Sequence, residues 1–239
     1  MLTNIKNNDF FSEVLYSAMV ELCEFLSDFK PNHSLLGSYS EHRETFNLYE
    51  SYPLTQRQKI LSDFEDYSLL LKNAISNSND VANSHSLLWG ALKTLKLSFD
   101  ESMFPNLKKD DVVEIYRNDN IQVFRNLKFH EICSYRYPEL FIHQWHSLFQ
   151  RDQNVTNEIL KAAKFVFSGK ASGSYDVSGI GRHEMREINS PERLETNMLL
   201  KTLYPLKNND GDTPYIVAVS NVQLNEVRSF RDYENVYSL

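Results

Sequence analysis

Near residue 105 the apolar pattern of this chain changes period, from the 3.6-residue repeat of amphipathic helices to the two-residue alternation of strands. That switch restricts the fold to a helical segment followed by a sheet-bearing one. Before it, Phe11, Val14, Leu15, Met19, Leu22 and Leu26 recur at helical spacing behind Asn8 or Asp9, which predicts a capped helix over residues 8–29 that ends before Pro31. Ile60, Leu61, Phe64, Tyr67, Leu71 and Ile75 mark a second helix, and Leu87, Leu88, Ala91 and Leu95 a third. Residues 30–53 are rich in Ser, Asn, His and Tyr with weak periodicity and read as a loop with at most one short helical turn. Residues 1–105 are therefore expected to be an all-helical region, a bundle or a dimerisation element, closed by Pro105 and the charged run Lys108, Lys109, Asp110 and Asp111.

Past Asp111 the runs VVEIY and IQVF are separated by Asn118-Asp119-Asn120, a hairpin pattern. Two short helical patterns follow over 127–135 and 138–149, then a longer one over 154–168 with Val155, Ile159, Ala162, Ala163 and Val166 on one face. Asp152 to Asn154 can cap that helix and Gly169 can end it. Strands are expected over 172–180, 196–206 and 215–224, the last two joined by the turn Asn208-Asn209-Asp210-Gly211-Asp212. Four of the seven glycines fall within 169–181, and their spacing fits neither of the common glycine-rich phosphate-binding patterns.

Composition removes several function classes. The net charge is -7, and residues 1–105 carry 8 Lys/Arg against 14 Asp/Glu while residues 106–239 carry 17 against 18. Neither part has the dense positive charge that phosphate backbones require, so no direct nucleic-acid contact is expected. No run approaches the length of a membrane span and the N-terminus lacks a secretory pattern, which makes a cytoplasmic location the expectation. Cys23 and Cys133 are too few for a disulfide framework. Without a secretory signal, the acceptor patterns Asn32-His33-Ser34 and Asn154-Val155-Thr156 carry no glycosylation argument.

The order strand, strand, short helices, one longer helix and three strands resembles that of the PAS sensory domain over residues 112–224. The residues that carry the resemblance are the turn at Asn118-Asp119-Asn120, then Asn126, Phe129, Ser134-Tyr135, Glu139-Leu140, Trp145, Leu148-Phe149 and Asp152. Two positions depart from the family: Ser134 stands where glycine is usual, and Ser220-Asn221-Val222-Gln223 where an Asp-Ile-Thr triplet usually ends the last strand. The resemblance implies an α+β fold, an antiparallel sheet with flanking short helices, over 106–224, with residues 225–239 as a tail. It also implies a sensing or docking role.

Tyr175, Met198, Leu200, Tyr204, Ile216, Ala218 and Val222 alternate along the expected strands, and with Phe141, Trp145, Ile159 and Ala163 from the helices they are the candidate lining of a small or filled ligand pocket. His143 and His146 stand at i, i+3 and would share a helix face with Glu139 and Gln150, away from Phe141 and Trp145. That face is expected to meet water, with a weak surface metal site or a haem ligand as the alternative roles of the two histidines. No cofactor is required. His130 and Cys133 lack a third orienting group and read as a surface or capping histidine beside a buried thiol. Asp63, Glu65 and Asp66 read as solvating charges, as do Asp110 and Asp111, and 182–187 reads as a charged loop.

These features together predict a non-catalytic regulatory protein whose helices couple one sensory domain to a homodimer and to a regulatory protein partner, with a small molecule as ligand. A ligand-free interaction adaptor is the alternative.

Overall fold

The structure, a computed structural model, describes residues 7–26, 35–76 and 83–225. The expected tail past residue 225 and the Asn32-His33-Ser34 triplet lie outside the described residues. The three helical periodicities give α1 (Asn7–Phe25), α3 (Leu54–Ser76) and α4 (Ser84–Leu95). Each buries residues of the stripe that the spacing marks: Leu15, Met19 and Leu22 on α1, Ile60, Phe64 and Leu71 on α3, Leu87, Leu88 and Ala91 on α4. Asn83 Oδ1 caps α4 by accepting from the amides of His85 at 3.0 Å and Ser86 at 3.2 Å.

One expectation for this region fails. Residues 43–51 form a helix, α2 (Arg43–Ser51), in what was expected to be loop. Its buried apolar residues are Phe46 and Tyr49, with Leu48 partly buried beside them, too few among polar neighbours to show the period. A last short helix, α5 (Met103–Asn106), precedes the sheet.

Strands β1 (Asp111–Arg117) and β2 (Gln122–Arg125) pair antiparallel across the expected turn, where Asn120 takes the left-handed φ of 66° that asparagine tolerates. A 3-10 turn at Leu127–Glu131 leads to α6 (Tyr137–Ile142), α7 (Trp145–Leu148), β3 (Phe149–Gln150) and α8 (Gln153–Phe167), capped by Asp152. The chain then runs through β4 (Tyr175–Asp176), β5 (His183–Glu187), β6 (Glu195–Leu206) and β7 (Tyr215–Leu224). The sheet order is β2-β1-β7-β6-β5-β3, with β4 also on β6 and every pairing antiparallel. The α+β class expected from the sequence, a half-barrel antiparallel sheet with flanking helices behind an all-helical segment, is the fold found.

The strand expected over 172–180 shrinks to the two residues of β4 and a 3-10 turn. Beyond the short β4 pairing, the same edge of β6 is continued by β5, inside the charged run read as loop. Only Met185 and Glu187 of β5 are buried, and the face they share with His183 carries a single apolar residue, so the run lacks the apolar alternation of a half-buried strand.

The sheet is covered on both faces. Val113, Ile115, Tyr204, Leu206, Val217 and Val219 share one core with α1, α3, α4 and α6. Val112, Met198, Leu200, Leu203, Ile216 and Ala218 share the other with α7 and α8. The period-two alternation of β1 and β7 thus sends neighbouring residues into different cores. Across the helical face the Phe64 ring lies 5.0 Å from Phe141 and 5.8 Å from Tyr137, so α3 and α6 interlock over the sheet.

Two carboxylates expected in solvent are buried. Asp63 pairs with Arg117, which also donates to both oxygens of Asp119 at 2.8 and 2.7 Å and so ties α3 to the hairpin turn. Burial outweighs the guanidinium and raises the Asp63 carboxyl to about 6. Asp111 accepts from Lys201 Nζ at 2.5 Å and from the Lys108 amide at 3.0 Å, which fixes the start of β1 against β6.

Candidate functional site

The concave face of the sheet, α7, α8 and the turn at Leu127–Glu131 enclose a cavity of about 50 Å³. Of the residues expected to line a pocket, Trp145, Ile159, Ala163, Met198, Leu200, Ile216, Ala218 and Val222 meet there. Three do not. A register shift between Leu200 and Thr202 on β6 inverts the alternation, so Leu203 faces the cavity and Tyr204 turns to the helical core. Phe141 belongs to that same helical core, because the helix expected over 138–149 is broken at His143, whose backbone is extended. Trp145 therefore begins a new helix with a different orientation. Tyr175 is partly buried beside the cavity core, its ring 5.0 Å from Phe165.

The same break separates His143 from His146. His143 Nε2 lies 3.3 Å from Thr45 Oγ1, and burial lowers its pKa, so it does not sit on a solvated helix face. Glu139, expected on that face, instead contacts His42 Nδ1 at 2.6 Å and accepts from Thr45 at 3.2 Å. Neither histidine lines the cavity, and among the described residues no three His, Cys, Asp or Glu side chains are grouped as a metal site. His130, expected at the surface, is buried with its ring 5.7 Å from Tyr137, and burial pushes the Cys133 thiol well above its ordinary range.

The polar part of the site was missed from sequence. Glu114, Tyr116 and Arg151 line an otherwise almost wholly apolar wall with Phe129, Phe149 and Met185. Tyr116 donates to Glu114 Oε1 at 2.6 Å and Gln122 Nε2 donates to the same oxygen. Among the described residues Glu114 Oε2 accepts no hydrogen bond. Burial raises the Glu114 carboxyl above its ordinary value, and burial and that carboxylate together hold the Tyr116 hydroxyl protonated. Arg151 lies with its guanidinium 4.7 Å from the Trp145 ring and 5.9 Å from the Phe149 ring, and its Nη2 contacts the Met185 sulfur. Its Nε is buried without a hydrogen-bond partner, and burial lowers its pKa to about 10. The one sequence sign of Glu114 was a charge at an interior position of VVEIY, where alternation places it with Val112 and Tyr116.

Outside the cavity lining, one buried carboxylate gathers several donors. Glu187, at the end of β5, accepts from the Ser134 amide at 2.6 Å, the hydroxyls of Ser134 at 2.5 Å and Ser190 at 2.6 Å, and the Leu194 amide at 3.0 Å. Ser134 thus has a job that the glycine usual in the resembling family would not perform. Asn126 likewise pins the beginning of β1: its Oδ1 accepts from the Val113 amide at 3.2 Å and its Nδ2 donates to Asp111 O at 2.9 Å and Ser84 Oγ at 2.7 Å.

Among solved structures, a domain described as from a light and redox sensing histidine kinase of Haloarcula marismortui is similar at 14% identity, covering 47% of this chain and 88% of that one with a TM-score of 0.31. A sensory box sensor histidine kinase from Vibrio cholerae is similar at 17% identity over 63% of this chain and 99% of that one, with a TM-score of 0.32. No family model matches the chain, and no curated protein does. Among the described residues no helix is long and apolar enough to cross a membrane.

Proposed function

We propose that the chain is a non-catalytic sensor module of a cytoplasmic signalling protein, which takes a small molecule in the concave cavity and transmits its occupancy to the N-terminal helices. One observation carries this reading: β1 is a shared wall, with Val112, Glu114 and Tyr116 on the cavity and Val113 and Ile115 in the helical core. A ligand that prefers one curvature of that wall must also shift the packing on its other side, in proportion to its differential affinity for the two arrangements. The helices would then bias a homodimer or a regulatory protein partner. Among the described residues the polar side chains that line the cavity are Glu114, Tyr116, Asn120 and Arg151, with no serine, threonine, cysteine or lysine beside them, which favours binding over turnover.

Mass spectrometry under native conditions tests the ligand: protein carrying a retained small molecule supports the sensor. A chain that carries none and that no metabolite stabilises in a thermal-shift screen is instead the ligand-free adaptor, a reading favoured by the small volume of the cavity. Light scattering tests the dimer, and a strict monomer across micromolar concentrations removes it.

A further inference from the structure

Resting on the sensor reading, we infer that the cavity ligand is a small organic carboxylate with a compact apolar body, of about the size of benzoate, whose anionic group pairs with Arg151. A guanidinium seated against apolar walls is costly unless an anion or a full set of acceptors compensates it. Arg151 has neither. Among the described residues it makes no ion pair, its Nε has no acceptor, and Nη2 meets only thioether sulfurs, with Met198 Sδ 4.0 Å away. Glu114 lies near enough to favour the charge of Arg151 but makes no ion pair with it, and its Oε1 is taken by Tyr116 and Gln122.

The rest of the wall defines the body of the ligand. The two rings beside the guanidinium, Trp145 and Phe149, place flat apolar surface next to the charge, which suits an aryl or branched alkyl group attached directly to the carboxylate. The volume of about 50 Å³ excludes a nucleotide or a flavin without a large rearrangement, and a body of benzoate size enters only if the lining side chains move outward. Glu114 Oε2, with no donor of its own, adds a place for one N–H or O–H on that body.

Equilibrium titration of the full chain with benzoate and with its neutral isostere benzamide, followed by calorimetry and by Trp fluorescence, tests the inference. Benzoate is expected to bind and benzamide to bind roughly ten- to a hundred-fold more weakly. Arg151→Gln is expected to abolish the difference between the two, and Arg151→Lys to restore part of it. Equal binding of the two probes, unchanged discrimination in Arg151→Gln, or no binding of benzoate at millimolar concentration overturns the inference. A neutral molecule retained by natively purified protein overturns it as well, yet leaves the sensor reading standing. Protein that retains nothing and responds to no metabolite sinks both.

Discussion

Glu187→Ala should be among the most damaging single substitutions outside the two apolar cores. The carboxylate is 3% exposed and serves four donors, two of them hydroxyls that can rotate to new acceptors and two of them amides, of Ser134 and Leu194, that cannot. Each buried amide left without an acceptor costs about 1–3 kcal/mol, so two cost about 4 kcal/mol. For a chain of this length that lowers the melting temperature by roughly 10 °C. Glu187→Gln separates bond geometry from charge. An amide oxygen in the place of Oε2 keeps three of the four bonds, and only the Ser134 amide then faces an NH2 group, for a cost of about 1–2 kcal/mol. Urea unfolding followed by circular dichroism, with thermal melts alongside, reads both variants. An alanine variant within about 1 kcal/mol of the parent refutes the reasoning, and a glutamine variant as damaged as the alanine one shows that charge, not the bond pattern, holds this corner.

Glu114 supplies a pH signature. Its folded pKa is raised by burial, so the stability it contributes is complete at low pH and is lost as pH climbs from its ordinary value of 4.5 through the folded one. The melting temperature of Glu114→Gln minus that of the parent should therefore grow with pH over that range; a flat difference contradicts the assignment. Arg125 is fully buried over the Phe141 ring at 4.3 Å, with Nε and Nη1 lacking acceptors among the described residues. Arg125→Met should stabilise the protein by about 1–2 kcal/mol in urea unfolding, and a loss of that size would show that its contacts to the Gln122 and Leu140 carbonyls dominate. Phe64→Ala should cost about 3–5 kcal/mol and increase hydrogen exchange in α3 and α6 together; increased exchange in α3 alone would mean that the two helices are not mechanically joined.

Long helices and the paired strands were legible because each carries a whole period of apolar residues. The β1–β2 hairpin, the turn at Asn120 and the cap of α8 at Asp152 follow from local chemistry alone. What was hidden depends on partners distant in sequence. Asp63 reads as a surface charge until Arg117, fifty-four positions away, is brought to it. Tyr204 reads as a cavity residue until the bulge after Leu200 reverses the strand. Arg151 follows Gln150 and precedes a helix cap, a setting in which nothing local distinguishes a solvated arginine from one facing an apolar cavity. The same is true of α2, whose two aromatic anchors need α1 and α6 before their spacing has meaning.

The alternation of β1 has an evolutionary consequence. Substitutions at 112, 114 and 116 alter what the cavity accepts, whereas substitutions at 113 and 115 alter how firmly the helices grip, and the two sets occupy separate cores. If the cavity takes a ligand as proposed, a lineage carrying this strand can drift in ligand preference while keeping its helical core, or alter the helical core while keeping the cavity. A one-residue slip in the register of β1 would forfeit both at once, since every side chain would change sides.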